Sequence, residues 1–213
     1  MRVEVIFFTL FLILMACGNP KEQSEQIDSL KIHQPDSNAL RLNNKAARLI
    51  GDAGHSYDSL KGLLYDSAIA YLNQAIEIDS LYLLAYTNKA QALQRKGSLS
   101  QALEVLYKME IIKPDLAEAI MGQGLILEKM GNTELANKKY SQALEAYAKR
   151  LENNPDNTRV QSDIAFLYIF LEDKDKAIDE IQNLILEHPD NEELKVIEGL
   201  IKNFERKKFI EEY

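Results

Sequence analysis

From about residue 38 onward, small and apolar residues return at a fixed interval. Ala68, Ala102 and Ala136 stand thirty-four residues apart, as do Ala90 and Gly124, Ala165 and Gly199, Ser80 and Pro114, and Pro155 and Pro189. The segment Asn44-Lys45-Ala46-Ala47-Arg48-Leu49 is echoed by Asn88-Lys89-Ala90-Gln91-Ala92-Leu93. Within each echo an apolar residue is followed by a small one four positions on and another apolar one three later, which is one face of an α-helix. A fixed period of this size predicts stacked helix pairs, each too small to bury its own apolar face. The chain is therefore read as all-α. Gly97 and Gly131 suit the left-handed residue that closes a first helix. Ser98 with Gln101 has the spacing of a capping box for a second helix, and Pro114, Pro155 and Pro189 end second helices beside an Asp or Asn suited to cap the next.

The small residues, Ala46, Ala90, Gly124 and Ala165 in first helices and Ala68, Ala102, Ala136 and Ala177 in second helices, mark close backbone crossings. A larger side chain there overpacks the contact at about 1–3 kcal/mol. Two departures from the period carry information. Ala46 and Ala90 are forty-four apart, and the ten extra residues fall in Gly51 to Gly62, whose three glycines predict a loop insertion over 50–62. Ala136 and Ala177 are forty-one apart, and the excess of seven lies between Ala143 and Pro155. Seven residues are nearly two helical turns, so the stripe Ala136, Tyr140, Ala143, Tyr147, Leu151 keeps its face. A second helix about 10 Å longer than its counterparts, protruding near 134–152, is expected.

The pattern carried by Tyr86, Ala90, Leu93, Gly97, Ala102, Leu106, Met109 and Pro114, repeated by Ile120, Gly124, Leu127, Gly131, Ala136, Tyr140 and Ala143, resembles the tetratricopeptide repeat. A fourth unit reads Gln161, Ala165, Tyr168, Ala177, Ile181, Leu184 and Pro189, with Glu172 where the turn glycine would stand; a degenerate first unit has Leu42, Ala46, Leu49, Ala68, Leu72, Ala75 and Ser80. The resemblance implies a right-handed superhelical solenoid of about four helix pairs, at 38–82, 83–116, 117–157 and 158–191, with a C-terminal capping helix over 192–210. It also implies a concave groove lined by first helices that receives a partner segment. Carried onto this chain, the groove positions are Asn43, Ala47, Thr87, Asn88, Gln91, Arg95, Met121, Leu125, Ser162, Phe166, Ile169 and Phe170. The amides Asn43, Asn88 and Gln91 are suited to a peptide backbone, and Met121, Leu125, Phe166 and Phe170 to bulky side chains. The alternative for Phe166, Ile169 and Phe170, with Leu200, is packing of the last pair against the capping helix. Asn88 also matches the repeats that clamp acidic chaperone C-termini, but Glu118 and Gly122 stand where that clamp needs basic residues.

The first sixteen residues carry Arg2 and then the apolar run Val5 to Leu14, broken only by Thr9, which is too short to span a bilayer and fits a secretory leader. It ends in Leu14-Met15-Ala16-Cys17, which resembles the bacterial lipoprotein box. That resemblance implies cleavage before Cys17, lipidation of Cys17, and acyl-chain anchoring of the new N-terminus; an ordinary leader with an incidental cysteine is the alternative. Residues 17–37 read as a polar tether with a reach of roughly 25 Å. Gly18, rather than Asp, follows the cysteine, which favours the periplasmic side of the outer membrane over the inner one by analogy with enteric bacteria.

Charge and chemistry narrow the function. The leader holds one Arg and one Glu, so the formal charge of −8 survives its removal. An acidic stack without a basic stripe argues against nucleic acid. His33, His55 and His188 have no metal-ligand or triad partners at useful spacing, no phosphate-binding glycine motif occurs, and neither cofactor nor catalysis is expected. The leading expectation is a lipid-anchored, non-catalytic scaffold that binds another envelope protein or peptide segment in its groove. The alternative is a receptor for glycan or peptidoglycan fragments in outer-membrane uptake or assembly, which would need exposed aromatic platforms.

Overall fold

The computed structural model describes residues 33–213, all helix, turn and connecting segment with no strand among them. They fall into two compact units, 33–114 and 115–213. The leader 1–16, Cys17 and the tether as far as residue 32 lie outside the described residues. No described helix is long and apolar enough to cross a membrane.

The N-terminal unit holds two hairpins, α1 (Ser37–Gly54) with α2 (Asp58–Ile78) and α3 (Leu83–Arg95) with α4 (Leu99–Ile112). The buried stripe of α1 is Ala39, Leu42, Asn43, Ala46, Ile50 and Ala53, at helical spacing throughout. It packs on Tyr65, Ala68, Leu72 and Ala75 of α2, all essentially sealed. The loop expected over 50–62 is not formed: the ten extra residues lengthen both helices, leaving only His55–Tyr57 between them. Glycine in a helix costs about 1 kcal/mol, but helical continuation buries Ile50, Ala53 and Tyr65. Burial of one large apolar side chain is worth about 1.5–3 kcal/mol, so periodicity outweighs composition. Ser56 Oγ donates to Asp52 O at 2.7 Å and His55 Nδ1 lies 3.0 Å from Gly51 O, which satisfies two of the last carbonyls of α1. Ser98 makes no side-chain cap bond, so the expected capping box is absent. Gly97 does take the left-handed conformation, at φ 83°.

The described residues of this unit begin inside the span assigned to the tether. Asp36 caps α1 through Asn38 N–H (2.8 Å) and Ala39 N–H (3.2 Å). Its own N–H donates to Asp79 Oδ2 at 2.9 Å, and His33 Nε2 lies 2.7 Å from Asp79 Oδ1. Burial opposes ionisation of Asp79, but bonds from the Asp36 N–H, His33 and the Leu81 N–H outweigh it and hold the carboxyl below its usual range. Residues 33–36 are thus pinned to the turn between α2 and α3.

The C-terminal unit comprises α5 (Ala117–Lys129), α6 (Thr133–Asn153), α7 (Thr158–Tyr168, continued by a 3-10 turn Ile169–Leu171), α8 (Lys174–Glu187), α9 (Glu192–Lys202) and α10 (Arg206–Glu212). At 21 residues, α6 exceeds α4 and α8, each of 14, by the seven the spacing indicates. Its extra turns do not protrude. Tyr147 is buried, Arg150 grips Glu118 with Nη1–Oε1 at 2.6 Å and Nη2–Oε2 at 2.9 Å, and Lys149 reaches Asp115 at 2.8 Å. Gly124 is a required small residue: a β-carbon there would sit 2.5 Å from the Tyr140 ring. Gly131 and Glu172 both take left-handed backbone in corresponding turns, at φ 84° and 63°. Asn157, Asp173 and Asn191 cap α7, α8 and α9 through backbone N–H groups. The single capping helix expected over 192–210 is broken at Asn203–Glu205, and α10 turns back over α5.

Nothing lies within 4 Å of a β-carbon built on Gly51 or Gly62, and neither has positive φ. Gly51→Ala with Gly62→Ala should therefore stabilise the protein by about 0.5–1 kcal/mol per site, raising the thermal midpoint by roughly 2–4 °C per kcal/mol. Circular-dichroism melting checks this; an unchanged or lowered midpoint would show these glycines to be loop residues.

Candidate functional site: the first-helix faces

In the N-terminal unit, α1 and α3 are the neighbouring first helices. Asn43 and Asn88 do meet, but with each other: Asn88 Nδ2 donates to Asn43 Oδ1 at 2.7 Å, both residues buried. The two side chains are joined to each other inside the helix packing, so they are not the open amide ladder expected for a peptide backbone. Thr87 Oγ1 is turned back onto Leu83 O at 3.2 Å. Ala47 is exposed and Thr87, Gln91 and Arg95 are half-buried, so these four positions keep accessible surface.

The apolar half differs more from expectation. Met121, Leu125, Phe166, Ile169 and Phe170 are all buried, as is Ser162, whose hydroxyl donates to Arg159 O at 2.8 Å. Helix α5 is buried almost all round, from Ala119 to Leu127, as expected of a helix enclosed by its neighbours. Part of that cover is the chain's own C-terminus. Phe204 and Phe209 pack edge-on against Phe170, with ring centroids at 5.2 and 5.5 Å, and against Phe166 at 6.2 and 6.3 Å. Tyr140 abuts Phe170 at 5.0 Å, and Tyr213 stacks on Phe209 at 5.9 Å. The alternative weighed for Phe166 and Phe170, packing against the C-terminal helical segment, is the arrangement found, although the segment is α10 rather than one continuous capping helix.

A polar clasp holds the tail. Arg206 Nε donates to Glu128 Oε1 at 2.6 Å, Nη2 to Asn137 Oδ1 at 2.9 Å, and Nη1 reaches Glu172 Oε1 at 3.4 Å. Tyr140 Oη donates to the other Glu128 oxygen at 2.6 Å. Burial and that carboxylate push the Tyr140 phenol far above its usual range, so it remains a donor. Lys129 Nζ adds a bond to Glu211 O at 3.4 Å. Sequence reasoning missed Glu128, Asn137 and Arg206. The available signal was the spacing Arg206, Phe209, Tyr213, which puts an arginine and two aromatics on one face of a short helix.

A second polar group lies on the same unit. Asp163 of α7 is buried near the Glu118–Arg150 pair, with Arg159 and Glu193 around it. Burial, and then the Glu118 charge, push its carboxyl up to about 7, with Arg159 and Arg150 opposing. Among the described residues no group of three or more His, Cys, Asp and Glu could hold a metal ion.

The raised Asp163 value sets a sign. Between the unfolded carboxyl value of about 3.9 and the folded one of about 7, the folded state binds the proton and the unfolded state does not, so stability falls as pH rises through that window. Asp163→Asn, neutral at all pH, should match the parent near pH 4 and become progressively more stable than it towards pH 8. Urea midpoints across that range read the difference; a constant offset would remove the titration from Asp163.

The sequence profile of the tetratricopeptide repeat matches residues 134–197. No curated protein sequence is matched. Among solved structures, a thermophilic tetratricopeptide-repeat protein of Thermus thermophilus aligns at a TM-score of 0.53 and 19% identity, covering 95% of this chain and 97% of that one. The Sgt2 tetratricopeptide domain of Aspergillus fumigatus aligns at 0.48 and 18%, covering 67% and 84%. The first such domain of Spaghetti, bound to an HSP90 peptide, aligns at 0.46 and 20%, covering 66% and 98%. With its helical hairpins, close-packed alanines and left-handed turns, the chain has the all-α tetratricopeptide-repeat fold.

Proposed function

We propose that this protein is a non-catalytic scaffold that binds a segment of another protein on its first-helix faces. The observation that carries the reading is α10: the C-terminal unit seats a short helical segment through Phe166, Phe170 and the Glu128 carboxylate. A face that receives its own tail this way has the chemistry to receive a similar segment from elsewhere. In the N-terminal unit the corresponding accessible ground is Ala47 and Gln91. The glycan reading gains no support. Tyr65, Tyr82, Tyr86, Tyr140 and Tyr147 are buried in the helix packing and are not available as sugar platforms, and the exposed Tyr57 and Tyr107 lie on different hairpins, the first in the α1–α2 turn and the second on α4.

The setting belongs to the same proposal. The apolar leader and Leu14-Met15-Ala16-Cys17 support lipidation at Cys17 and attachment to a bacterial envelope membrane, with the outer membrane favoured by Gly18. The described residues begin at His33, which the Asp79 carboxylate holds beside the turn between α2 and α3. Partners would then be envelope proteins within reach of the membrane surface.

Two measurements test this. Cys17→Ser should abolish metabolic fatty-acid labelling, and persistent labelling would remove the anchor. Crosslinking in intact cells should recover a defined partner with the parent protein. Ala47→Arg with Gln91→Arg, which adds bulk and charge to the accessible face, should lower recovery at least five-fold at unchanged helicity. Equal recovery would exclude the N-terminal face as a binding surface.

A further inference from the structure

We propose that the tail 204–213 is a built-in competitor for the C-terminal first-helix face, and that the external ligand of that face is a protein segment of the same chemistry, an arginine between two phenylalanines (Phe-x-Arg-x-x-Phe), the first phenylalanine just ahead of a short helix that carries the other two residues. The inference rests on the scaffold reading and deepens it by naming the ligand class and the device that controls access.

The receiving surface has two complementary parts. Phe166 and Phe170 accept aromatic edges at centroid distances of 5.2–6.3 Å. Glu128 accepts the arginine, its second oxygen already held by the Tyr140 hydroxyl, so the carboxylate is oriented before any guanidinium arrives. Asn137 and Glu172 complete the arginine's partners from the two neighbouring turns. An apolar surface alone would accept any greasy helix; the oriented carboxylate makes arginine at that position a requirement, because a ligand lacking it leaves Glu128 desolvated with an unmet bond.

The tail is built to leave. Helix α10 has seven residues, well below the length at which a helix is stable alone. Three residues, Asn203 to Glu205, join it to α9. Lys207 and Lys208 on its outer side, and Glu205 just before it, are exposed. Phe204, Arg206 and Phe209 are half-buried, whereas Phe170 beneath them is sealed. Release therefore uncovers Phe166 and Phe170, the rings on which Phe204 and Phe209 lie. A partner segment pays for that release, so the tail sets a threshold of affinity or local concentration.

The test uses the full chain. A fluorescent peptide of residues 203–213 is titrated by anisotropy against the parent and against the chain carrying Phe204→Ala, Arg206→Ala and Phe209→Ala in its own tail. The released chain should bind at least ten-fold more tightly than the parent, and a peptide with Arg206→Ala should bind it at least ten-fold more weakly than the parent peptide. Absence of saturable binding, equal binding by both peptides, or parent chains that dimerise by exchanging tails would each overturn the proposal. Should the released chain lose helicity, hydrogen exchange on the parent decides: α10 amides should exchange at least a hundred-fold faster than those of α5, and equal protection would make the tail a permanent part of the fold. Partner recovery through Ala47 and Gln91 reads the other unit, so this proposal fails independently of the scaffold reading.

Discussion

The packing of alanine and glycine where neighbouring helices meet is the constraint on which the rest depends. Ala46, Ala68, Ala102, Ala136, Ala165 and Ala177 are fully sealed, and the β-carbon that Gly124 lacks would collide with Tyr140. Such spacing leaves large side chains only the positions between crossings, which fixes how the helices of each hairpin face one another. Because Gly124 makes room for the Tyr140 ring, the Tyr140 hydroxyl reaches Glu128, and Glu128 is thereby aimed at the tail. A missing methyl group in α5 is thus linked, through one tyrosine, to what occupies the first-helix face.

The departures from regular period were absorbed by helix, for the same reason in both cases. In the first hairpin the extra residues continue the stripe through Ile50 and Ala53 and through Tyr65. In α6 they continue it to Tyr147 and bring Lys149 and Arg150 to the start of α5. A helix that can keep burying apolar area gains more than glycine costs it. Insertion of polar, glycine-rich sequence therefore did not produce an exposed loop, and the additional length went into reinforcement.

Function in this architecture turns on whether a face is free. The amides of Asn43 and Asn88 are buried and hydrogen-bonded to each other, and the aromatic rings of Phe166 and Phe170 are covered by Phe204 and Phe209 of the tail. Neither finding removes binding from the account. The seated tail displays the geometry in which an arginine and two aromatics fit, and the half-exposure of its side chains sets it apart from the permanent core.

Read alone, the sequence determined the helical hairpins, their period, the small residues at their crossings and the left-handed turns, since each is a property of residues within a few turns of one another. It also carries the apolar run Val5 to Leu14 and the single Cys17, on which the proposed leader and its lipidation rest. Only the tertiary structure decided which polar groups were satisfied and which faces were covered. Asn43 meets Asn88 across 45 positions and Arg206 meets Glu128 across 78. Periodicity specifies which side of a helix is apolar; it does not specify what comes back to lie on it, because that depends on where a three-residue break lets the chain turn.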